Sequence, residues 1–295
     1  MKSNNTHFNV LASFAYLYKD KKFRDLFFKL HRDGVINGMI DSGAFTLFNA
    51  KENRDWLTLD NYCRFLDLHQ EDCEKYVMLD KVGDEKQSKI NYETMVKRGF
   101  KPMFVLTMFD NDLGYFCDTL KVNKHCCVAG GVTTKGEWMT RRFQQAYKAS
   151  KKEALIHGLG YVTYPKMLQL PLTSVDSSSW VVGAQKYGLL SWFEDGEKKI
   201  HYKEAIQKNV PKGLRKVLND IQVSVSQFVD YNNFKGNTSI SSLLSLITFY
   251  KYQRYCYMNG LRLFLSTNKT GLEKLLWLNE NINNPTYEKF LKFKK

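Results

Sequence analysis

No Cys-x-x-Cys or Cys-x-Cys spacing occurs among the six cysteines of this 295-residue chain, at positions 63, 73, 117, 126, 127 and 256, so a structural zinc site has no frame in the sequence. Cys126 and Cys127 would point to opposite faces of a strand, and reduced thiols in a cytosolic protein are the default for so scattered a set. Residues Met1 to Asn9 lack the charged start and apolar run of a secretory signal, which makes a cytoplasmic location the expectation. The longest apolar candidate, Leu243 to Leu265, is interrupted by Lys251, Arg254, Asn259 and Arg262. A membrane span is thereby excluded at that length, and no membrane partner is expected. There is no internal repeat and no low-complexity tract. Acidic residues are in deficit: 30 Asp and Glu face 44 Lys and Arg, a formal charge of +14.

That imbalance favours a polyanionic partner, nucleic acid ahead of an anionic membrane. The 14% aromatic content suits base stacking. A Lys- and Asn-rich composition can also follow from the base composition of a genome, but that explanation leaves the placement of the carboxylates untouched.

Apolar runs of strand length alternate with amphipathic stretches of helix length, the pattern of βα repeats. Strands are expected at Phe8–Tyr16, Val35–Asp41, Tyr76–Asp80, Pro102–Thr107, His125–Ala129, Ala154–His157 and Leu172–Val175. Trp180–Val182 or a segment near Ile200 could supply an eighth. The expected fold is an α/β (β/α)8 TIM barrel with an additional C-terminal helical, basic region; an open doubly wound sheet is the competitor. Residues 1–200 would form the catalytic core. Residues 201–295, with longer Lys-rich helical segments, would complete the barrel wall or form a basic platform for nucleic acid.

Functional side chains of such a barrel gather at the carboxyl ends of its strands. Asp41, Asp80 and Asp176 each follow an apolar run, and Gly130-Gly131 and His157-Gly158-Leu159-Gly160 occupy equivalent places. A buried Asp without a partner costs several kcal/mol, so three at strand ends call for an explanation beyond helix capping. Two carboxylates in one cleft suit glycosidic chemistry, one attacking the anomeric carbon while the other handles the proton. A third can read a base, and a Gly-Gly backbone can meet a carbonyl oxygen. Binding of Mg²⁺ is the competing use of three carboxylates.

Asp41-Ser42-Gly43-Ala44-Phe45, Leu79-Asp80, Ala129-Gly130-Gly131-Val132, His157-Gly158-Leu159-Gly160 and Ser174-Val175-Asp176-Ser177 occur in an order that resembles the queuine/archaeosine tRNA-guanine transglycosylase superfamily. The resemblance covers roughly residues 35 to 185 and is closer to the phage-type DNA-guanine transglycosylases, which put 7-deazaguanines into DNA. It implies that Asp176 is the nucleophile of a covalent glycosyl-enzyme intermediate and Asp41 the general acid/base. It further implies that Phe45 stacks on the base beside Ser42, and that Asp80 accepts from the base N1–H and 2-amino group. Gly130 and Gly131 would meet the base O6. His157, next to Gly158, stands where the family often has a second stacking side chain. No metal or redox cofactor is implied.

The chain departs from the tRNA enzymes in lacking their C-x-C-x₂-C…H zinc site and in having Leu106-Thr107 where they carry a base-reading Gln. DNA is therefore the expected partner, tRNA the alternative, and the incoming base a 7-deazaguanine such as preQ0. Two other classes stay open: a non-catalytic nucleic-acid-binding barrel, and a nucleoside hydrolase-like enzyme that uses water.

Overall fold

The computed structural model describes residues 8–48, 55–107, 110–130, 136–181, 188–234 and 236–293. The chain divides into two compact units, Met1–Asp176 with Gly260–Asn268, and Ser177–Asn259 with Lys269–Lys295. The division falls at 176/177, where a boundary at residue 200 was expected, and the first unit also takes the late segment Gly260–Asn268, which carries a strand of its sheet.

Ten strands are present among the described residues: β1 Phe8–Ser13, β2 Ile36–Asp41, β3 Lys75–Tyr76, β4 Phe104–Leu106, β5 His125–Ala129, β6 Leu155–Leu159, β7 Ser174–Ser177, β8 Leu189–Phe193, β9 Glu197–His201 and β10 Arg262–Thr267. Eight of them form one sheet in the order β3-β2-β1-β10-β7-β6-β5-β4. The neighbours β1 and β2, β2 and β3, β4 and β5, β5 and β6, β6 and β7, and β1 and β10 all run parallel. The sheet curls, and single contacts link the residues beside its two end strands. Val77 and Met103 form a parallel bridge, the Met103 N–H donates to Tyr76 O at 2.9 Å, and the Met78 N–H donates to Met103 O at 3.0 Å. This is a TIM-like α/β arrangement.

Burial explains why these segments are strands. All six residues of β1 are buried, as expected where helices cover the outside of a parallel sheet and side chains fill its interior. The helix Lys21–Arg32 starts where the Asp20 carboxylate accepts from the Phe23 N–H at 2.9 Å and buries Phe23, Phe27, Phe28 and Leu30. On β2, a Cβ at Gly38 would lie 2.7 Å from the Phe27 ring, so a glycine lets this helix lie flat on the strand. The first strand ends earlier than expected, because the Ser13 hydroxyl caps a helix at Phe14–Lys19.

The eighth strand of the sheet is β10, not Trp180–Val182 and not the segment near Ile200. Ser179, Trp180 and Val181 are helical, and Val182 lies outside the described residues. Ile200 sits in β9, which pairs antiparallel with β8 in a separate two-stranded sheet. That hairpin belongs to the second unit, whose centre is the helix Ile240–Met258, buried on nearly every side over its first 14 residues. Thr248 Oγ1 donates to Ser191 O at 3.0 Å, and Ser245 Oγ donates to Trp180 O at 2.8 Å. The second unit is therefore not all helical. No described helix is long and apolar enough to cross a membrane.

Candidate active site

β1, β2, β6, β7 and β10 present polar side chains at their carboxyl ends, and these converge around Asp176. Asp176 is 8% exposed. Its Oδ1 accepts from the Gly160 N–H at 2.6 Å and lies 3.3 Å from His157 Nε2; its Oδ2 accepts from the Ser266 hydroxyl at 2.9 Å. Three donors thus supply to its two oxygens what water would otherwise supply. His157 is 1% exposed, its Nδ1 lies 2.8 Å from Ser174 Oγ, and the Phe264 ring meets it edge-to-face at 5.9 Å.

Asp41 ends β2. Its Oδ2 accepts from the Gly43 N–H at 3.1 Å, and Ser13 also hydrogen-bonds to it. Gly43 has φ +84°, a left-handed conformation that lets the chain fold back over the carboxylate. A Cβ there would also lie 3.1 Å from Ser13 Oγ and 3.2 Å from Ala15 Cβ. Burial pushes the Asp41 carboxyl up from 3.8 to about 6, and the nearby negative charge of Asp176 adds to the effect. Asp80 is pushed up to about 7, first by burial and then by the charge of Asp41. Ser42, fully buried, hydrogen-bonds to Asp80 and accepts from the Ala44 N–H at 3.4 Å. From the helix Glu85–Lys97, Asn91 Nδ2 donates to Leu79 O at 2.9 Å and fixes the backbone just ahead of Asp80. The three carboxylates therefore form one electrostatically coupled set in which Asp176 alone is held by three donors.

The remaining expected residues are distributed more widely. Phe45 lies on the short helix Ala44–Phe48, directly after Asp41, and is 56% exposed. Gly130 ends β5 beside the following helix, where a Cβ would lie 2.4 Å from Met139 Sδ. Packing thus explains this glycine independently of any ligand. Gly131 lies outside the described residues. A Cβ on Gly158 would lie 3.2 Å from the Phe143 ring and 3.3 Å from Tyr161 Cβ, which puts this residue against the helical layer. His157 stands at the place where the resembled family often has a second stacking side chain, but here both ring nitrogens have partners and the ring is buried beside the Asp176 carboxylate.

Ser13 and Ser266 join the site without having been expected there, and Gly160 and Ser174, present in the sequence only as members of the two motifs, join it through a backbone N–H and a hydroxyl. Ser266 has only a faint signal in the sequence: the short apolar run Leu263-Phe264-Leu265 follows Asn259-Gly260 and Arg262 and ends in Ser-Thr. Among the described residues, no group of three His, Cys, Asp or Glu side chains is arranged to hold a metal ion. A cavity of about 250 Å³ in the second unit, lined by Ile221, Ile247, Tyr250, Lys251, Leu278 and Pro285 among others, has no comparable set of carboxylates.

Such an arrangement can supply a fixed carboxylate nucleophile and a second carboxyl that carries a proton near neutral pH, the division of labour that paired carboxylates achieve when their environments differ. Compared with models of known protein families the chain matches none, and no curated protein matches it either.

Proposed function

We propose that the protein is a DNA-guanine transglycosylase, which exchanges guanine in DNA for a 7-deazaguanine such as preQ0 through a covalent intermediate on Asp176. In this reading the curled sheet is a full (β/α)8 barrel, the second unit contributes to holding the polyanion, and the enzyme works in the cytoplasm of a phage-infected cell. The observation that carries the reading is the unequal treatment of two coupled carboxylates: three donors converge on Asp176, while burial and the Asp176 charge hold Asp41 at about 6. The ordered motifs that resemble the transglycosylases support it from the side of the sequence.

The chemistry then runs in two halves. An Asp176 oxygen attacks C1′ of the deoxyribose, the C1′–N9 bond breaks with its electron pair going to guanine, and the Asp41 proton passes to the departing base. The incoming base gives its N9 proton to Asp41; N9 attacks C1′, and the bond to Asp176 breaks with its electron pair returning to the carboxylate. Asp80 accepts from the base N1–H and 2-amino group, and Phe45, exposed beside the site, stacks on the ring. A duplex target must be opened or its base flipped for this geometry to be reached.

The test is to incubate the protein separately with duplex DNA, single-stranded DNA and tRNA, each with labelled guanine or preQ0. Label in DNA is the expected result. Label in tRNA alone overturns the DNA assignment in favour of the same chemistry on RNA, and label in none overturns base exchange.

A further inference from the structure

His157 stands under the Asp176 carboxylate. It is paired in register with Ser174 across β6 and β7, and Asp176, two residues beyond Ser174 on the same strand, shares that residue's face of the sheet. The imidazole therefore spans the two: Nδ1 lies 2.8 Å from Ser174 Oγ, and Nε2 lies 3.3 Å from Asp176 Oδ1. A carboxylate oxygen accepts, so Nε2 carries the proton that faces it, and the Ser174 hydroxyl donates to Nδ1. Oδ1 also takes the Gly160 N–H at 2.6 Å, whereas Oδ2 has the Ser266 hydroxyl at 2.9 Å. The two oxygens are thus unequal, with Oδ1 held by two N–H groups from the β6 side and Oδ2 by one hydroxyl from β10.

We propose that His157 is a positioning residue which, with the Gly160 N–H, holds Oδ1 so that Asp176 attacks through Oδ2, and that this pair of donors chiefly serves the second half of the reaction. The role rests on the base-exchange reading above; the tautomer and the contact do not. When Oδ2 bonds to C1′ its lone pair becomes the ester bond and Oδ1 becomes the ester carbonyl. In the second half N9 of the incoming base forms its bond to C1′, the C1′–Oδ2 pair returns to the carboxylate, and negative charge reappears on Oδ1, where two N–H groups are already aimed. Ser174 fixes the tautomer, the same task that a second hydrogen bond performs for other functional histidines. Asp41 is a second carboxyl group close enough to interact electrostatically with the imidazole.

Two measurements test this. In protein without substrate at pH 8, long-range ¹⁵N–¹H spectra, with the His157 signals assigned by their loss in His157→Gln, should show the Nε2–H tautomer, and Ser174→Ala should weaken that preference. An Nδ1–H tautomer overturns the proposal whatever the enzyme does with DNA. With substrate, His157→Leu should lower kcat by roughly 10–100-fold, the scale of loss from a misplaced reacting group, while leaving KM for the base within about twofold. The covalent adduct should then persist longer than in the wild type. His157→Gln, whose amide N–H can reach the same oxygen, should recover most of the rate. Equal impairment of the Leu and Gln variants, or a normal adduct lifetime in His157→Leu, overturns the positioning role. A wild type that labels no polymer instead removes the base-exchange reading, leaving the tautomer measurement as the judge of the contact.

Discussion

Asp41 and Asp80 are carboxyl groups that the fold holds in their uncharged form over a wider pH range than water does. An unfolded Asp releases its proton near 3.8, whereas these two keep theirs to about 6 and about 7. Between those limits the folded state binds more protons than the unfolded one, so their contribution favours folding most below about pH 4 and is lost as pH rises through the window. Asp80→Asn removes this liability. A carboxyl moved to about 7 carries an upper limit of about 4 kcal/mol, and partial access to water reduces it, so we expect a gain of ~1–3 kcal/mol at pH 8 that disappears near pH 4. Denaturant unfolding at the two pH values measures it; a gain equal at both would mean that proton linkage is not its cause.

In the proposed reaction the same group makes base recognition pH-dependent. At pH 6 Asp80 holds its proton and would have to release it to accept from the base N1–H and 2-amino group. Guanine should therefore bind more tightly at pH 8 than at pH 6, with proton release at the lower pH, seen by calorimetry in buffers of different ionisation enthalpy. Asp80→Ala should weaken base binding without unfolding the chain, since Ser42, its hydrogen-bond partner, keeps the Ala44 N–H contact. Proton uptake on binding would count against this role.

Among the elements, β5 and the helix Gly136–Ala149 meet closely at Gly130, just past the end of β5. Met139 Sδ occupies the place a Cβ on Gly130 would need, at 2.4 Å. Gly130→Ala should destabilise by ~1–3 kcal/mol through overpacking, and a second change, Met139→Ala, should cancel part of that cost, as contacting residues do in double-mutant cycles. Additive losses in thermal unfolding would refute the direct clash. What the sequence revealed at this scale was uneven. The runs ending in Asp41 and Ala129-Gly130 were legible because each is a short apolar stretch closed by a carboxylate or a glycine, whereas the run into Asp80 outlasts its strand, β3 being only Lys75–Tyr76, and Asp176 lies within β7. β10 was not legible, for a physical reason. The helix Ile240–Met258 is buried on so many sides that its residues show no clear polar stripe, and Arg262 breaks up the short strand that follows Gly260, so that strand offers no clean apolar run. His157 was visible as a site residue, but its role depends on register: only the pairing of β6 with β7 puts it beside Ser174 and beneath Asp176. Ser13 and Ser266 read as ordinary helix caps or loop residues until the strands are laid side by side.

At the scale of the whole molecule the excess of 44 basic over 30 acidic residues stands beside a site whose own charges are negative. In the proposed function, attraction for a polyanion therefore comes from outside the site, while the site selects the base. Affinity for DNA should fall about tenfold or more between roughly 50 and 200 mM salt, with a log–log slope that counts the phosphates neutralised; fluorescence anisotropy with labelled oligonucleotides measures it, and a flat response would remove the polyanion reading. Asp41→Asn, which leaves the surface charge nearly unchanged, should leave that slope alone while lowering the exchange rate by about 10²–10⁴-fold, the usual worth of general acid–base catalysis.

The most direct measurement is to quench the protein with guanine-containing DNA in denaturant, digest it, and locate any deoxyribosyl adduct by mass spectrometry in the wild type, Asp176→Asn and Asp41→Asn. The account predicts an adduct on Asp176 in the wild type, none in Asp176→Asn, and slow formation at the same residue in Asp41→Asn. An adduct on Asp41 that survives in Asp176→Asn would invert the two roles, and labelled exchange with no adduct in any of the three proteins would contradict the covalent mechanism.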